Sequence, residues 1–107
     1  MPNGNHKNVV RLCLAIDRFF AIYGRFPTRI VMHPAILRDI REVLFSPEDF
    51  AAINTKVTLI AGGDWMIAED DLGGRYDMAK DATPPRQEGG SRAVEWLGVR
   101  PQIADED

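Results

Sequence analysis

Few residues in this chain have the types and spacing that chemistry needs. His33 closes the apolar run Arg29-Ile30-Val31-Met32-His33, and Asp64 follows Gly62-Gly63 at the end of another run, Lys56 to Ala61. If the two runs are parallel neighbours, their carboxyl ends share one sheet edge, the place where open α/β sheets bind ligands. An imidazole, a carboxylate to orient it and the free N–H groups at the start of the next helix would make a small acid–base or anion site. His33 and Asp64 are therefore the candidate ligand pair. The plainer reading leaves His33 beside a helix start and Asp64 at a hairpin tip.

A second group of acids, Glu69, Asp70, Asp71 and Asp77, surrounds the turn Asp70-Asp71-Leu72-Gly73-Gly74. Carboxylates suit magnesium or calcium, but the alternating acids and terminal glutamate of an EF-hand loop are missing, so a solvated acidic turn is expected and no metal is assigned. The single Cys13 lies inside an apolar helical stripe with Val9 and Ile16, where a thiolate would be costly; it is a packing residue and can form no disulfide within the chain. There is no G-x-S-x-G elbow, H-E-x-x-H helix, Walker loop or dinucleotide glycine fingerprint. No catalytic residue and no cofactor is expected.

The elements that must position these groups follow from periodicity. From Asn5 to Tyr23, Val9, Leu12, Cys13, Ile16, Phe19, Phe20 and Tyr23 recur at three- and four-residue steps until Gly24, which predicts an amphipathic helix. Val10, Leu14 and Ala21 carry apolar surface past that stripe, so this helix is either packed from two sides or shared with another subunit. Pro27 forces an extended connector, residues 29–33 read as a strand, and Pro34 opens a second helix over Ala35 to Phe45. Ser46-Pro47-Glu48-Asp49 starts a short third helix with a cap and first-turn acids.

Gly62-Gly63 between two apolar runs predicts a hairpin, with Ile60 opposite Trp65, Leu59 opposite Met66, Thr58 opposite Ile67 and Val57 opposite Ala68. Arg75 to Met78 returns as a further antiparallel strand. Residues 79–90 hold Pro84-Pro85 and Gly89-Gly90 without periodicity and read as a flexible linker or long loop. Residues 91–107 then form an anchor with a frayed acidic end, in which Val94, Trp96, Leu97 and Val99 fit a helix and an edge strand equally well.

With 107 residues, 45% hydrophobic and 27% charged, the chain is sized and composed for one globular domain. The organisation is a compact part over 1–78, the linker and the anchor. The fold class is two-layer α+β: an N-terminal helix, a β-α crossover, then an antiparallel hairpin or meander, with three to four strands and two main helices. A crossover of more than twenty residues allows the first two strands to run parallel.

The net charge of −3 excludes a generally basic coat. It is unevenly split, with seven Lys/Arg against three Asp/Glu in residues 1–45 and six against thirteen in 46–107. The line Lys7, Arg11, Arg18 and Arg25 reads as a solvated helix face, and no aromatic residue interleaves it, so nucleic acid is a remote partner. No apolar run is long enough to cross a bilayer, and a lone cysteine fits a reducing compartment, so the cytoplasm is the expected location.

These features predict a small intracellular non-catalytic protein, an accessory or inhibitor that binds another protein through apolar and charged surfaces. The expected interaction surface is Val10, Leu14, Arg18, Ala21, Trp96 and Leu97, with a homodimer through the first helix. The alternatives are a small-ligand or hydrolytic site at His33 and Asp64, or weak nucleic-acid binding by the basic helix face.

Overall fold

A computed structural model describes residues 5–63, 65–80 and 92–98, with side chains from Asn8 onward. The first helix, α1, spans Asn5–Tyr23, as the periodicity predicts. Gly24 ends it at φ +74, a left-handed conformation that glycine adopts without strain, and its N–H donates to the Phe20 carbonyl at 2.8 Å. Strand β1, Arg29–Met32, leads through His33 into α2, Pro34–Asp39, which widens into a π-helical turn over Ile40–Leu44. Helix α3, Pro47–Lys56, is capped as its sequence predicts, with Ser46 Oγ accepting from the Asp49 N–H at 3.1 Å. Strands β2, Thr58–Ala61, β3, Met66–Glu69, and β4, Arg75–Asp77, follow, then a 3₁₀ turn at Met78–Lys80 and helix α4, Arg92–Leu97.

The four strands form one mixed sheet in the order β2-β1-β3-β4. The expected parallel pairing of β1 with β2 is present, from Arg29 opposite Thr58 to Met32 opposite Ala61. The expected Gly62-Gly63 hairpin is not: β1 lies between β2 and β3 and pairs with both, antiparallel to β3 with Ile30 opposite Ala68. The loop straddles the end of β1 instead, its two sides held by Gly62 N–H to the Met32 carbonyl at 2.8 Å and His33 N–H to the Trp65 carbonyl at 2.9 Å. The reason is burial. Ile30 and Met32 are fully buried, and a β2–β3 hairpin would leave their strand with a partner on one side only. The hairpin of this fold is the next one, β3–β4, with Ala68 opposite Tyr76.

The molecule is a two-layer α+β domain. Ile30, Met32, Leu59, Met66, Ala68 and Tyr76 point from the sheet into a core shared with Leu12, Ile16 and Phe19 of α1, Ile40 and Leu44 of the π turn and Ile53 of α3. Cys13 belongs to this core; burial, and secondarily the charge of Asp17, pushes its thiol up to about 12, so it stays protonated and unreactive. Among the described residues all helices lie on this face. The opposite face shows Thr58, Arg29, Glu69 and Arg75 in one row across the strands and Ile60, Val31, Ile67 and Asp77 in the next.

The sequence leaves the C-terminal element open between helix and strand; it is the helix α4. Its start is set from α1, where Asp17 Oδ1 accepts from the Ala93 N–H at 2.8 Å. Ala93 and Leu97 are buried, and Trp96 stacks on Phe26 with ring centroids 4.2 Å apart and planes 3° from parallel. Lys56 Nζ donates to the Trp96 carbonyl. The anchor segment thus docks on its own domain. Of the expected linker, residues 79 and 80 belong to the 3₁₀ turn, while 81–91, like 99–107, lie outside the described residues.

Trp96→Ala removes a stacked, half-buried indole and is expected to cost about 2 kcal/mol, with a fall in melting temperature of roughly 10 °C. Thermal unfolding followed by circular dichroism reads this directly; an unchanged midpoint would show that α4 contributes nothing to the fold.

Candidate functional site

Each described group singled out for chemistry has a structural occupation. His33 caps α2, its Nδ1 accepting from the Ala35 N–H at 3.0 Å, so that nitrogen is not available as a base. Its ring borders a shallow depression of about 390 Å³ with Leu37, Arg38, Arg41 and Ala61. Asp64, its expected partner, lies outside the described residues.

The acids of the β3–β4 turn are taken up by arginines. Glu69 Oε1 accepts from Arg29 Nε at 2.9 Å, and its Oε2 faces Arg75 Nε at 3.4 Å; Asp71 binds Arg29 NH1 at 2.8 Å. Asp70, 5% exposed, accepts from Gly74 N–H at 2.7 Å and Leu72 N–H at 3.1 Å through Oδ1, and from Arg25 Nε through Oδ2. The Arg25 hydrogen bond, aided by the two backbone donors, holds the Asp70 carboxyl below its usual range. Asp77 turns back on its own chain, with Oδ1 accepting from Ala79 N–H at 3.0 Å. Among the described residues no three His, Cys, Asp or Glu side chains gather to hold a metal ion.

The basic line of α1 is likewise drawn into the fold. Arg11 donates to Asn8 Oδ1 at 2.7 Å and lies over the Trp65 ring at 4.7 Å, while Arg25 is bound to Asp70. The Lys7 side chain lies outside the described residues.

Of the expected interaction surface, Val10 is 40% exposed, Ala21 is exposed, and Leu14, Arg18 and Trp96 are half-buried. Leu97 is buried in the core. Arg18 and Ala21 meet in an open groove of about 480 Å³ between the last turns of α1 and β4. Its apolar lining is Ala21, Ile22 and Tyr76, and Ile22 is 58% exposed. Three cations, Arg18, Arg75 and Lys80, and one carboxylate, Asp77, stand around it.

The groove is built by one clamp. The Tyr23 hydroxyl donates to the Arg75 carbonyl and accepts from the Arg75 N–H, both at 3.0 Å, which fixes β4 against the end of α1 and closes that backbone edge to further strands. Sequence periodicity missed Ile22 because it sits on the polar side of the helix, four residues after Arg18. The usable signal was that position itself: a large β-branched side chain beside Ala21, off the core stripe. Arg75, Tyr76, Asp77 and Lys80 come to the site by tertiary packing, which no local pattern announces. Among the described residues the groove lining holds no histidine, cysteine or serine to act as base or nucleophile; it can seat an apolar side chain and neutralise acids at its rim.

Two variants probe the occupations just described. His33→Ala is expected to cost about 1 kcal/mol by loss of the α2 cap, and His33→Asp to recover most of it, read from denaturant midpoints. Because the folded Asp70 carboxyl is held low, its contribution is present above the ordinary carboxylate pKa and lost as pH falls through the lower folded value. Asp70→Asn is therefore expected to flatten the acid side of the stability profile below about pH 4.

No family model matches the chain, and no curated protein or solved structure matches it, so its function is argued from the chemistry of this groove.

Proposed function

We propose that this chain is a non-catalytic protein-interaction domain of the accessory or inhibitor type, and that its partner is held in the groove between α1 and β4. The observation that carries the reading is Ile22, a large apolar side chain 58% exposed in a concave site beside Ala21. Exposed apolar surface rimmed by polar groups marks interaction sites. With three cations to one carboxylate around it, the groove suits a segment that offers an apolar anchor flanked by acidic side chains. The His33 alternative is weaker, because the nitrogen that would act as base already caps α2. A reducing, cytoplasmic setting goes with the lone buried thiol of Cys13; among the described residues no helix is long and apolar enough to cross a membrane.

The test is recovery of native complexes from the source cell with the wild-type chain, with Ile22→Asp and with Val43→Asp, an apolar site 47% exposed and away from the groove. A stoichiometric partner should be retained by wild type and V43D and lost by I22D, and raising the salt should weaken its hold. A partner that I22D keeps would remove the groove from the mechanism. Hydrolysis or ligand turnover by the purified chain, abolished by H33A, would replace the interaction reading with an enzymatic one.

A further inference from the structure

A second surface lies on the other face of the sheet and shares only Arg75 and Asp77 with the rim of the groove. The helix-free face of the sheet carries a charged row, Arg29 on β1 and Glu69 on β3 flanked by Thr58 and Arg75, and beside it an apolar row, Ile60, Val31 and Ile67, ending at Asp77. Ile60 is 39% exposed, and Val31 and Ile67 are half-buried. The edges of the sheet are less inviting. Asn54 Oδ1 accepts from the Leu59 N–H of β2 at 3.0 Å, and the Tyr23 hydroxyl occupies Arg75 of β4, so growth by strand addition is hindered on both sides and the face is what remains to be covered.

We propose that this face pairs with the same face of a second copy of the chain, about a two-fold axis parallel to the strands and midway between β1 and β3. Two same faces can meet only about an axis lying in the plane between them. An axis across the strands sets Arg29 on Arg29 of the second copy if it runs along the charged row, lays the charged row on the apolar one if it runs between the rows, and sets Asp77 on Asp77 if it runs along the apolar row. Each of these leaves charge at the contact without compensation. The axis along the strands lays β1 on β3 and β2 on β4. Arg29 then faces Glu69 of the second copy, and Glu69 faces its Arg29, while Val31 covers Ile67 in both directions. With the in-chain Arg29 to Glu69 bond of 2.9 Å, the four groups close a ring of alternating charge. Thr58 and Ile60 fall opposite Arg75 and Asp77 at the rim, so no like charges meet.

The sheet order is what makes this possible, since it places the arginine and the glutamate on the two central strands in the same row. Four strands about 4.8 Å apart and about 13 Å long offer roughly 250 Å² in plan, well under the ~800 Å² per partner of a standard interface, so the dimer exchanges and forms at about 0.1–1 mM.

Sedimentation equilibrium of the full chain from about 10 µM to 1 mM tests the pairing. The average mass should climb from 12.0 kDa toward twice that value, and climb less in high salt. Glu69→Arg should weaken association at least tenfold, and adding Arg29→Glu should recover it in part, because the Arg29–Glu69 pairs within and between copies are rebuilt with charges reversed while the bonds of Arg29 to Asp71 and of Arg75 to Glu69 are not. Ile67→Asp, at a half-buried position of β3, should abolish association while the far-ultraviolet spectrum stays native. The inference is overturned if the mass remains at 12.0 kDa to 1 mM, if association survives I67D, or if Val10→Asp on α1 abolishes it instead. None of these outcomes bears on the I22D groove experiment, so the two readings fail separately.

Discussion

The carboxylate of Asp70 is the point at which the two halves of this fold are tied together. One oxygen gathers the Gly74 and Leu72 N–H groups and so shapes the β3–β4 turn; the other holds Arg25, the residue after the Gly24 stop of α1. The turn must also pass close to the helix. A Cβ at Gly74 would stand 2.7 Å from the Phe19 ring and 3.0 Å from Asp70 Oδ1, so only glycine fits there, and Phe19 is itself fully buried. Arg25, Asp70, Gly74 and Phe19 therefore have to be correct together. The register of β4 against β3, and with it the Tyr23 clamp and the groove, depends on that agreement.

The same economy engages most of the described acids and arginines that the sequence singles out with one another. They come from distant parts of the sequence: Arg29 meets Glu69 and Asp71 some forty residues on, and Asn8 Nδ2 reaches Asp39 at 2.8 Å. Such pairs on a half-exposed surface add little stability each, but a carboxylate bound to a guanidinium is a poor metal ligand and a poor general base. Among the described residues every buried side-chain nitrogen and oxygen has a hydrogen-bond partner. The imbalance that remains is in apolar side chains left exposed, such as Ile22, Val43 and Leu72.

How much of this was legible depended on the distance over which each decision is made. The bounds of α1 follow from its own residues, because the stripe from Val9 to Tyr23 and the stop at Gly24 lie within one helix. The Ser46 cap and the Pro34 start are equally local. The Gly62-Gly63 hairpin was a local signal overruled from afar. A glycine pair allows a tight reversal but does not require one, and β1, placed thirty residues earlier, competes for both strand edges through Ile30 and Met32. The state of residues 92–97 was undecidable locally for the same reason, since the hydrogen bond that starts their helix comes from Asp17, 76 residues away. His33 was found as a polar group at the right sheet edge; its spent nitrogen is a matter of rotamer and cap geometry, which residue type does not report.

The groove and the open face share one origin in the connectivity. A chain that returns from β1 to β2 through α2 and α3 brings those helices to the same face as α1, because the core there, centred on Ile30, Met32 and Met66, already binds α1. One layer of helices cannot also cover the reverse of the sheet, so Val31, Ile60 and Ile67 remain outside. Nor can α1, with α4 docked beside Asp17 and Phe20, cover its own flank at Ile22. Among the described residues no further element covers either surface. The composition of each then decides what it suits: the face carries both charges in a symmetric arrangement and matches itself, while the groove carries mainly one and calls for its opposite.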